Sequence, residues 1–306
     1  MDLTIDKSTR IGLGYAAHSD AFQCGREAAQ AAKGQLPDAS VTLALIVGPP
    51  TVHFKDFVEG ARLAIGEECL VAIPAQKALS NETNMANACF VVAFQTTKMR
   101  ISIAADEVDS GEIIKGTTSL LSQFKRQRGN ALRELAHRGC LSFSHQLSDN
   151  SGNQAASLAA DMGFESWVLG GSTLSDQGTP MVYLNKTMRR GLVGIEFLSR
   201  TPWGVGSVAV DSFPKHADVY REAIKTALRE ASAQMPSSSP PRFGLILFDV
   251  PAEQHALLSD NLLSSATQAF PNVPLLAISA SNLFVRRPQR AIPQQNDSIV
   301  ALLVPE

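Results

Sequence analysis

The stretch Val41-Thr-Leu-Ala-Leu-Ile-Val47, closed by Gly48-Pro-Pro50, has the pattern of a β-strand that is buried on both faces. A short continuous apolar run that ends at glycine and proline is typical of such strands. The next segment, from about His53 to Ile65, has apolar residues at helical spacing and predicts an amphipathic helix. A second apolar run, Cys69-Leu-Val-Ala-Ile73, follows. The order strand, helix, strand predicts a crossover connection and parallel pairing.

The same order of elements returns twice further along the chain. A second round begins at Cys140-Leu-Ser-Phe-Ser144 and a third at Phe243-Gly-Leu-Ile-Leu-Phe248, at intervals of about a hundred residues. Each round closes with apolar runs that follow short polar loops, which favours antiparallel pairing there. The sequence therefore predicts an α/β fold with three diverged repeats of about 100 residues and mixed β-sheets covered by helices.

Longer helices are predicted between the rounds, at about Gly111 to His137 and Lys215 to Gln234. The stretch Pro236-Ser-Ser-Ser-Pro-Pro241 consists of residues that end helices and disfavour regular structure. We expect a domain boundary there. It separates residues 1–236, which hold two repeats, from residues 242–306, which hold a third and shorter one.

Composition narrows the class of function. The chain has 306 residues, a net charge of −2 and 44% hydrophobic residues, which is typical of globular proteins and gives no long-range attraction to nucleic acid or membrane. The basic stretch Lys125-Arg-Gln-Arg128 lacks interleaved aromatic residues, so a solvated helix face is expected for it and for nearby Arg138. No apolar run reaches the length of a membrane span, and no secretory signal precedes the first strand. A cytoplasmic protein with reduced cysteines and no nucleic-acid or membrane partner is predicted.

Two polar stretches follow predicted strands, where ligands of α/β proteins commonly bind. In Leu169-Gly-Gly-Ser-Thr-Leu-Ser-Asp176, the glycines permit close backbone approach and the hydroxyls of Ser172 and Thr173 could contact a ligand. An ordinary turn explains the same residues equally well. The second stretch begins at His145, which could act as an acid–base group, although a histidine on a loop is more commonly a surface residue.

No motif for a metal, a cofactor or a preassembled nucleophile is present in the sequence. The six histidines are scattered, without the spacing that metal ligands require. No cofactor or metal is therefore predicted. A catalytic site in which serine, histidine and aspartate come from distant loops stays open as an alternative.

An ordered series of weak motifs resembles the FIST family, whose name stands for F-box and intracellular signal transduction. The resemblance covers roughly residues 10–212 and includes Gly12-Leu-Gly-Tyr-Ala16, Leu169-Gly-Gly-Ser172 and Tyr183-Leu-Asn185. The stretch after Pro241 resembles the C-terminal region of that family only loosely.

The resemblance implies a sensory module for signal transduction without its own output domain. It would bind a small molecule, such as an amino acid or related metabolite, and act through a protein partner. Ligand contacts are expected from Gly170, Gly171, Ser172, Asp176 and Asn185. Two alternatives are a protein-interaction scaffold that has lost its ligand and a hydrolase with a site assembled across the repeats; an enzyme is the less favoured of these interpretations.

Overall fold

The computed structural model describes residues 9–37, 40–51, 53–66, 69–82, 88–109, 111–147, 151–163, 165–173, 179–184, 186–210, 217–250, 255, 264–289, 294–295 and 299–305. The first repeat contains β1 (Arg10–Ala16), α1 (Ala21–Gly34), β2 (Leu43–Gly48), α2 (Phe54–Ile65), β3 (Leu70–Pro74), β4 (Ala78–Ser80) and β5 (Cys89–Gln95). The second contains β6 (Arg100–Asp106), α3 (Ile113–Arg128), a 3₁₀ turn (Ala131–Arg133), β7 (His137–His145), α4 (Ser151–Met162), β8 (Trp167–Thr173), β9 (Met181–Tyr183), β10 (Lys186–Met188) and β11 (Gly191–Ser199). The third contains β12 (Gly204–Val208), α5 (Ala217–Ser232), β13 (Pro241–Phe248), β14 (Leu275–Ser279), β15 (Ser281–Arg286), β16 (Gln294–Gln295) and β17 (Ile299–Pro305).

The described strands form three mixed sheets of six, six and five strands. The first has the order β1-β5-β2-β3-β9-β10, the second β16-β15-β8-β7-β11-β6 and the third β12-β17-β13-β14-β4. At the centre of each sheet lies one parallel pair, namely β2 with β3, β7 with β8 and β13 with β14. The predicted α/β class, mixed pairing and three repeats are confirmed.

Each repeat contributes a short strand to the sheet of another repeat. Strand β4 pairs with β14 in the third sheet, β9 pairs with β3 in the first, and β15 pairs with β8 in the second. One contact of this kind is the hydrogen bond from the Lys77 amide to the Ser279 hydroxyl, which joins residues 202 positions apart. This cyclic exchange brings the ends of the three parallel pairs together.

The core has two layers, because each sheet buries both faces. The inner faces of all three sheets share one apolar cluster, to which Leu45, Phe143 and Leu247 belong. Three further clusters lie between the outer faces and the helices that cover them. The strands are therefore buried on both sides, which is why they appear in the sequence as continuous apolar runs.

Two sequence predictions are wrong in the second repeat. The helix expected to reach His137 ends at Arg128, because Gly129 takes a left-handed conformation with φ of 54°. The solvated face expected for the basic stretch is present at Lys125 and Arg126, which are exposed. It is wrong for Arg128 and Arg138, which form ion pairs with Glu196, whose side chain is fully buried.

Within the described part of the chain, no helix has the length and apolar character that crossing a membrane requires. All four cysteines are buried, and none forms a disulfide. The boundary expected at Pro236 to Pro241 stays a prediction; β12 and α5, which precede it, pack with the third sheet.

Candidate functional site

The carboxyl ends of the three parallel pairs occupy equivalent positions in the three repeats. The last residues in register are Gly48 with Pro74, His145 with Thr173, and Phe248 with Ser279. The structure therefore places Pro74, Thr173 and Ser279 at the ends of the three parallel pairs, and two of these three positions carry a hydroxyl group.

A cleft of about 120 Å³ opens where these ends meet. It is lined by residues of all three repeats: Pro74, Ala75 and Gln76 from the first, Ser172 and Thr173 from the second, and Phe248, Asp249, Val250, His255, Ser279, Ala280 and Ser281 from the third. The cleft is thus assembled across the repeats, and much of its lining is polar. A polar lining is the opposite of what the scaffold alternative requires.

Thr173 and His145 form a hydrogen-bonded pair at this end of the second sheet. They stand opposite each other in the register of β8 and β7, with 2.9 Å between Thr173 Oγ1 and His145 Nδ1. Side chains alternate along a strand, so both continue the inward-facing rows to which Leu169 and Phe143 belong. The pair forms a polar end to the apolar core.

The hydrogen bonds of His145 determine its tautomer. Its Nε2 lies 2.8 Å from the backbone carbonyl of Thr179, and because a carbonyl can only accept, Nε2 carries the proton. The ring is fully buried, and burial lowers its pKa, so the neutral form prevails at pH 7. Nδ1 of the neutral ring has a lone pair and accepts the Thr173 hydroxyl proton. The other acceptor near that hydroxyl, the Ser144 carbonyl, is more distant at 3.4 Å.

This geometry can activate a hydroxyl nucleophile. A base must lie within about 2.6–3.2 Å of the group it deprotonates and must itself be oriented by a further hydrogen bond. His145 meets both conditions, since Nδ1 faces Thr173 and the Thr179 carbonyl holds Nε2.

The third repeat brings two further titratable groups to the cleft, Asp249 and His255. Asp249 Oδ2 accepts a hydrogen bond of 2.8 Å from the amide of Asn282, which has a left-handed backbone with φ of 51°. Burial raises the pKa of Asp249. The hydrogen bond from Asn282 favours the charged form and acts in the opposite direction, but burial has the larger effect. His255 Nε2 lies 2.9 Å from the Val250 carbonyl, and its ring meets the Phe248 ring edge-on at 5.6 Å.

The serines of the cleft differ in their hydrogen bonding. Ser279 Oγ accepts a bond of 2.8 Å from the Lys77 amide, and Ser281 Oγ donates to the Ser172 carbonyl at 3.3 Å. Ser172 is 3% exposed, and its Oγ has no partner among the described residues. An unsatisfied buried hydroxyl at the edge of a cleft is available to a bound molecule.

The residues expected to bind a ligand have varied positions. Gly170 and Gly171 lie within β8, where a Cβ atom on Gly170 would stand 1.9 Å from the Ser142 carbonyl oxygen and one on Gly171 would stand 2.8 Å from Leu283. Close strand packing therefore accounts for both glycines, and their role in ligand binding stays a prediction. Ser172 lines the cleft, whereas Asp176 and Asn185 lie outside the described residues.

Sequence reasoning missed most of the chemistry of the cleft. From the sequence, His145 was expected on the surface, Thr173 was expected only to make a polar contact, and no role was expected for Asp249 and His255. In the structure His145 is buried, and the other three residues line the cleft. The available signal was their position, because Thr173, His145 and Asp249 each stand at or directly after the end of a central strand. The described residues contain no group of three or more histidine, cysteine, aspartate or glutamate side chains arranged to hold a metal ion.

The whole chain is similar in fold to a solved cyanuric acid hydrolase. The crystal structure of that enzyme from A. caulinodans aligns with a TM-score of 0.51 and 10% identity, covering 98% of this chain and 100% of the other. A second cyanuric acid hydrolase structure, described as arising by structural concatenation, aligns with a TM-score of 0.46 and 10% identity over 97% of this chain and all of the other. No family model and no curated protein matches the sequence. At this identity the first similarity establishes the fold alone.

The assignment to the FIST family is wrong. No model of that or any other family matches the chain, and a solved structure that is similar in fold over 98% of the chain is a cyanuric acid hydrolase. The sensory and signal-transduction function rested on that assignment and is wrong with it. The short motifs that suggested the family have local explanations, as the packing of Gly170 and Gly171 shows. A small-molecule ligand and a protein partner stay predictions.

Proposed function

We propose that the chain is a hydrolase that cleaves an amide-type C–N bond of a small, compact substrate in the cleft between the three repeats. The observation that supports this most is the contact of 2.9 Å between Thr173 Oγ1 and His145 Nδ1 at the cleft. The similarity in fold to a cyanuric acid hydrolase favours the same class of reaction.

In this mechanism Thr173 Oγ attacks the substrate carbonyl carbon while its proton passes to His145 Nδ1. The C–N bond then breaks, and the leaving nitrogen takes the proton from His145. The resulting ester on Thr173 is hydrolysed by a water molecule that gives a proton to the same ring nitrogen, which returns it to the threonine oxygen. The base must be neutral for the first step, and the burial of His145 keeps it so.

Asp249 supports the reaction from the third repeat. Its raised pKa extends the pH range in which the carboxyl group is protonated, and a protonated carboxyl can donate a hydrogen bond to a substrate oxygen. The Asn282 amide donates a hydrogen bond to Oδ2 of Asp249 and so holds the carboxyl group in place.

The cleft limits the size of the substrate. Its volume is about 120 Å³. An apolar cavity of about 150 Å³ holds benzene, so a single five- or six-membered ring is the size that suits the cleft. The polar lining, including the unpartnered Ser172 hydroxyl, suits a ring with carbonyl and N–H groups. A cyclic amide or imide is the substrate class that we propose.

The test is a hydrolysis screen of the purified protein against cyclic amides and imides, including cyanuric acid, barbituric acid, hydantoin and succinimide. Ring-opened products are followed by liquid chromatography and mass spectrometry. Thr173→Val and His145→Gln are each expected to lower the rate at least about a thousandfold. Thr117→Val is the matched control, because Thr117 is also buried but its hydroxyl donates to the Ile113 carbonyl inside α3, away from the cleft.

A folded wild-type protein that opens none of these rings contradicts the substrate class. Turnover that survives in a folded Thr173→Val variant contradicts the nucleophile, whatever the substrate. Thermal melting of each variant establishes whether it is folded before its rate is interpreted.

A further inference from the structure

A second cavity lies at the end of the molecule opposite the cleft, between the two junctions that join the repeats. Each junction has four residues: 96–99 connect β5 to β6, and 200–203 connect β11 to β12. Ser199, at the end of β11, pairs with His137 at the start of β7, whereas the cleft residue His145 is at the other end of β7. The cavity measures about 650 Å³ and is distinct from the proposed active site.

The cavity has an excess of positive charge. Among the residues that the structure describes, its lining contains Lys98, Arg100 and Arg200 but only one carboxylate, that of Glu134. Arg100 donates one hydrogen bond to the Gln127 carbonyl, and none of the three cations forms an ion pair with any residue that the structure describes. All three are exposed at the mouth, so their charges are available to a bound anion.

Trp203 adds a buried donor to this cavity. It is 2% exposed and lines the cavity, and its Nε1 has no hydrogen-bond partner in the described part of the chain. Its ring is held by aromatic contacts to Phe197 at 4.6 Å and Trp167 at 5.4 Å between centroids. Buried indole N–H groups usually have an acceptor, so this one is a position where a ligand oxygen is favoured.

The lining also has apolar surface beside the charges, from Met99 and Leu135. A ligand that satisfies the whole cavity therefore combines an anionic group with an apolar body. The cations and the indole N–H can donate to the oxygens of that group, and the apolar side chains can cover the body.

We infer that the cavity between the repeat junctions binds a small organic anion, a carboxylate or a phosphate ester attached to an apolar group. Recognition comes from Lys98, Arg200 and the Trp203 indole N–H. Binding at this end does not require the catalytic pair, so the site functions whether or not the cleft is a hydrolase.

Benzoate, phenyl phosphate and benzamide test this inference, because they share an apolar ring and differ in charge. Calorimetry measures affinity, and the indole N–H resonance of Trp203 in an NMR spectrum reports contact at the site. Benzoate or phenyl phosphate is expected to bind and to shift that resonance, whereas benzamide binds at least tenfold more weakly. The stronger of the two anions distinguishes a carboxylate site from a phosphate site. Affinity is expected to fall as salt is added.

The Lys98→Glu/Arg200→Glu variant is expected to bind the preferred anion at least tenfold more weakly. Lys55→Glu, a charge reversal at an exposed position on α2, is the control and should leave the affinity unchanged. The inference is overturned if neither anion shifts the Trp203 resonance at millimolar concentration, if benzamide binds as tightly as the anions, or if the two variants behave alike. Melting curves show whether the double variant remains folded, and if it does not, Arg200→Gln alone is used with the same criteria.

Discussion

Replacing Glu196 by glutamine should destabilise the strand that holds the proposed base. Glu196 on β11 is fully buried, and its Oε1 accepts bonds of 2.8 Å from Arg128 Nη1 and 2.7 Å from Arg138 Nε. Arg138 is the second residue of β7, the strand that ends at His145. The neutral glutamine has nearly the same shape, so the substitution removes the charge and leaves the packing intact.

The structure sets the size of the effect. Removing one partner of a buried ion pair costs about 3–5 kcal/mol, because the other charge remains buried. The lower end applies here, since the Arg128 side chain is 11% exposed and can reach water, and Arg138 retains a contact of 3.5 Å to Asp161. We therefore expect a loss of about 3 kcal/mol in the free energy of unfolding.

Urea denaturation at pH 7 measures this loss. The control is Glu222→Gln, which breaks a pair with Lys225 whose glutamate side chain is 67% exposed, and a change below about 0.5 kcal/mol is expected for it. A loss below about 1 kcal/mol for Glu196→Gln would refute the argument, because it would mean that water reaches both guanidinium groups.

Three further outcomes follow from burial and close packing. Burial lowers the pKa of His145, so the unfolded chain protonates this histidine before the folded protein does as the pH falls below about 6.5. Wild type should therefore lose more unfolding free energy than His145→Gln between about pH 6.5 and 5 in urea titrations. Equal losses would contradict this. Burial raises the pKa of Asp249, so the charge of this carboxyl group opposes folding at neutral pH. Asp249→Asn should therefore be more stable than wild type at pH 7, and the difference should disappear below about pH 4. A variant that is less stable than wild type at pH 7 would show the raised pKa to be wrong. Gly170→Ala should lower the unfolding free energy by at least about 2 kcal/mol in the same assay, since the new Cβ would stand 1.9 Å from a backbone oxygen. Gly34→Ala, whose Cβ would have no atom within 4 Å, should be nearly neutral. Equal effects would show that close packing does not explain Gly170.

The repeats and the α/β class could be predicted because strands buried on both faces leave a strong pattern. Val41 to Val47 and Phe243 to Phe248 are apolar except for Thr42, and the structure places β2 and β13 there as central strands. The helix-covered mixed sheets follow from the alternation of such runs with amphipathic segments.

The exchange of strands between repeats could not be predicted. Strands β4, β9 and β10 have three residues each, too few for a periodic pattern, and β4 pairs with a strand of the third repeat. The end of α3 was missed for another reason, since one left-handed glycine, Gly129, outweighed the helical pattern of the residues beyond it.

The candidate site depended on register, which single residues do not reveal. Thr173 and His145 are 28 positions apart and meet only because β7 and β8 pair in parallel with these two residues opposite each other. His145 looked like a surface residue because the apolar run ends just before it. The glycines of β8 looked like a ligand loop, yet neighbouring backbone and side-chain atoms account for them.

The most direct test of the proposed hydrolase is to trap the ester on Thr173. Wild-type protein is mixed with a substrate that it opens, quenched in acid during turnover, digested, and analysed by peptide mass spectrometry. The peptide containing Thr173 is expected to gain the mass of one intact substrate molecule, because ring opening by Thr173 adds the whole substrate without loss of an atom, and Thr173→Val is expected to show neither this adduct nor turnover. Turnover in a folded Thr173→Val variant, with no adduct on Thr173 in the wild type, would contradict the proposed mechanism.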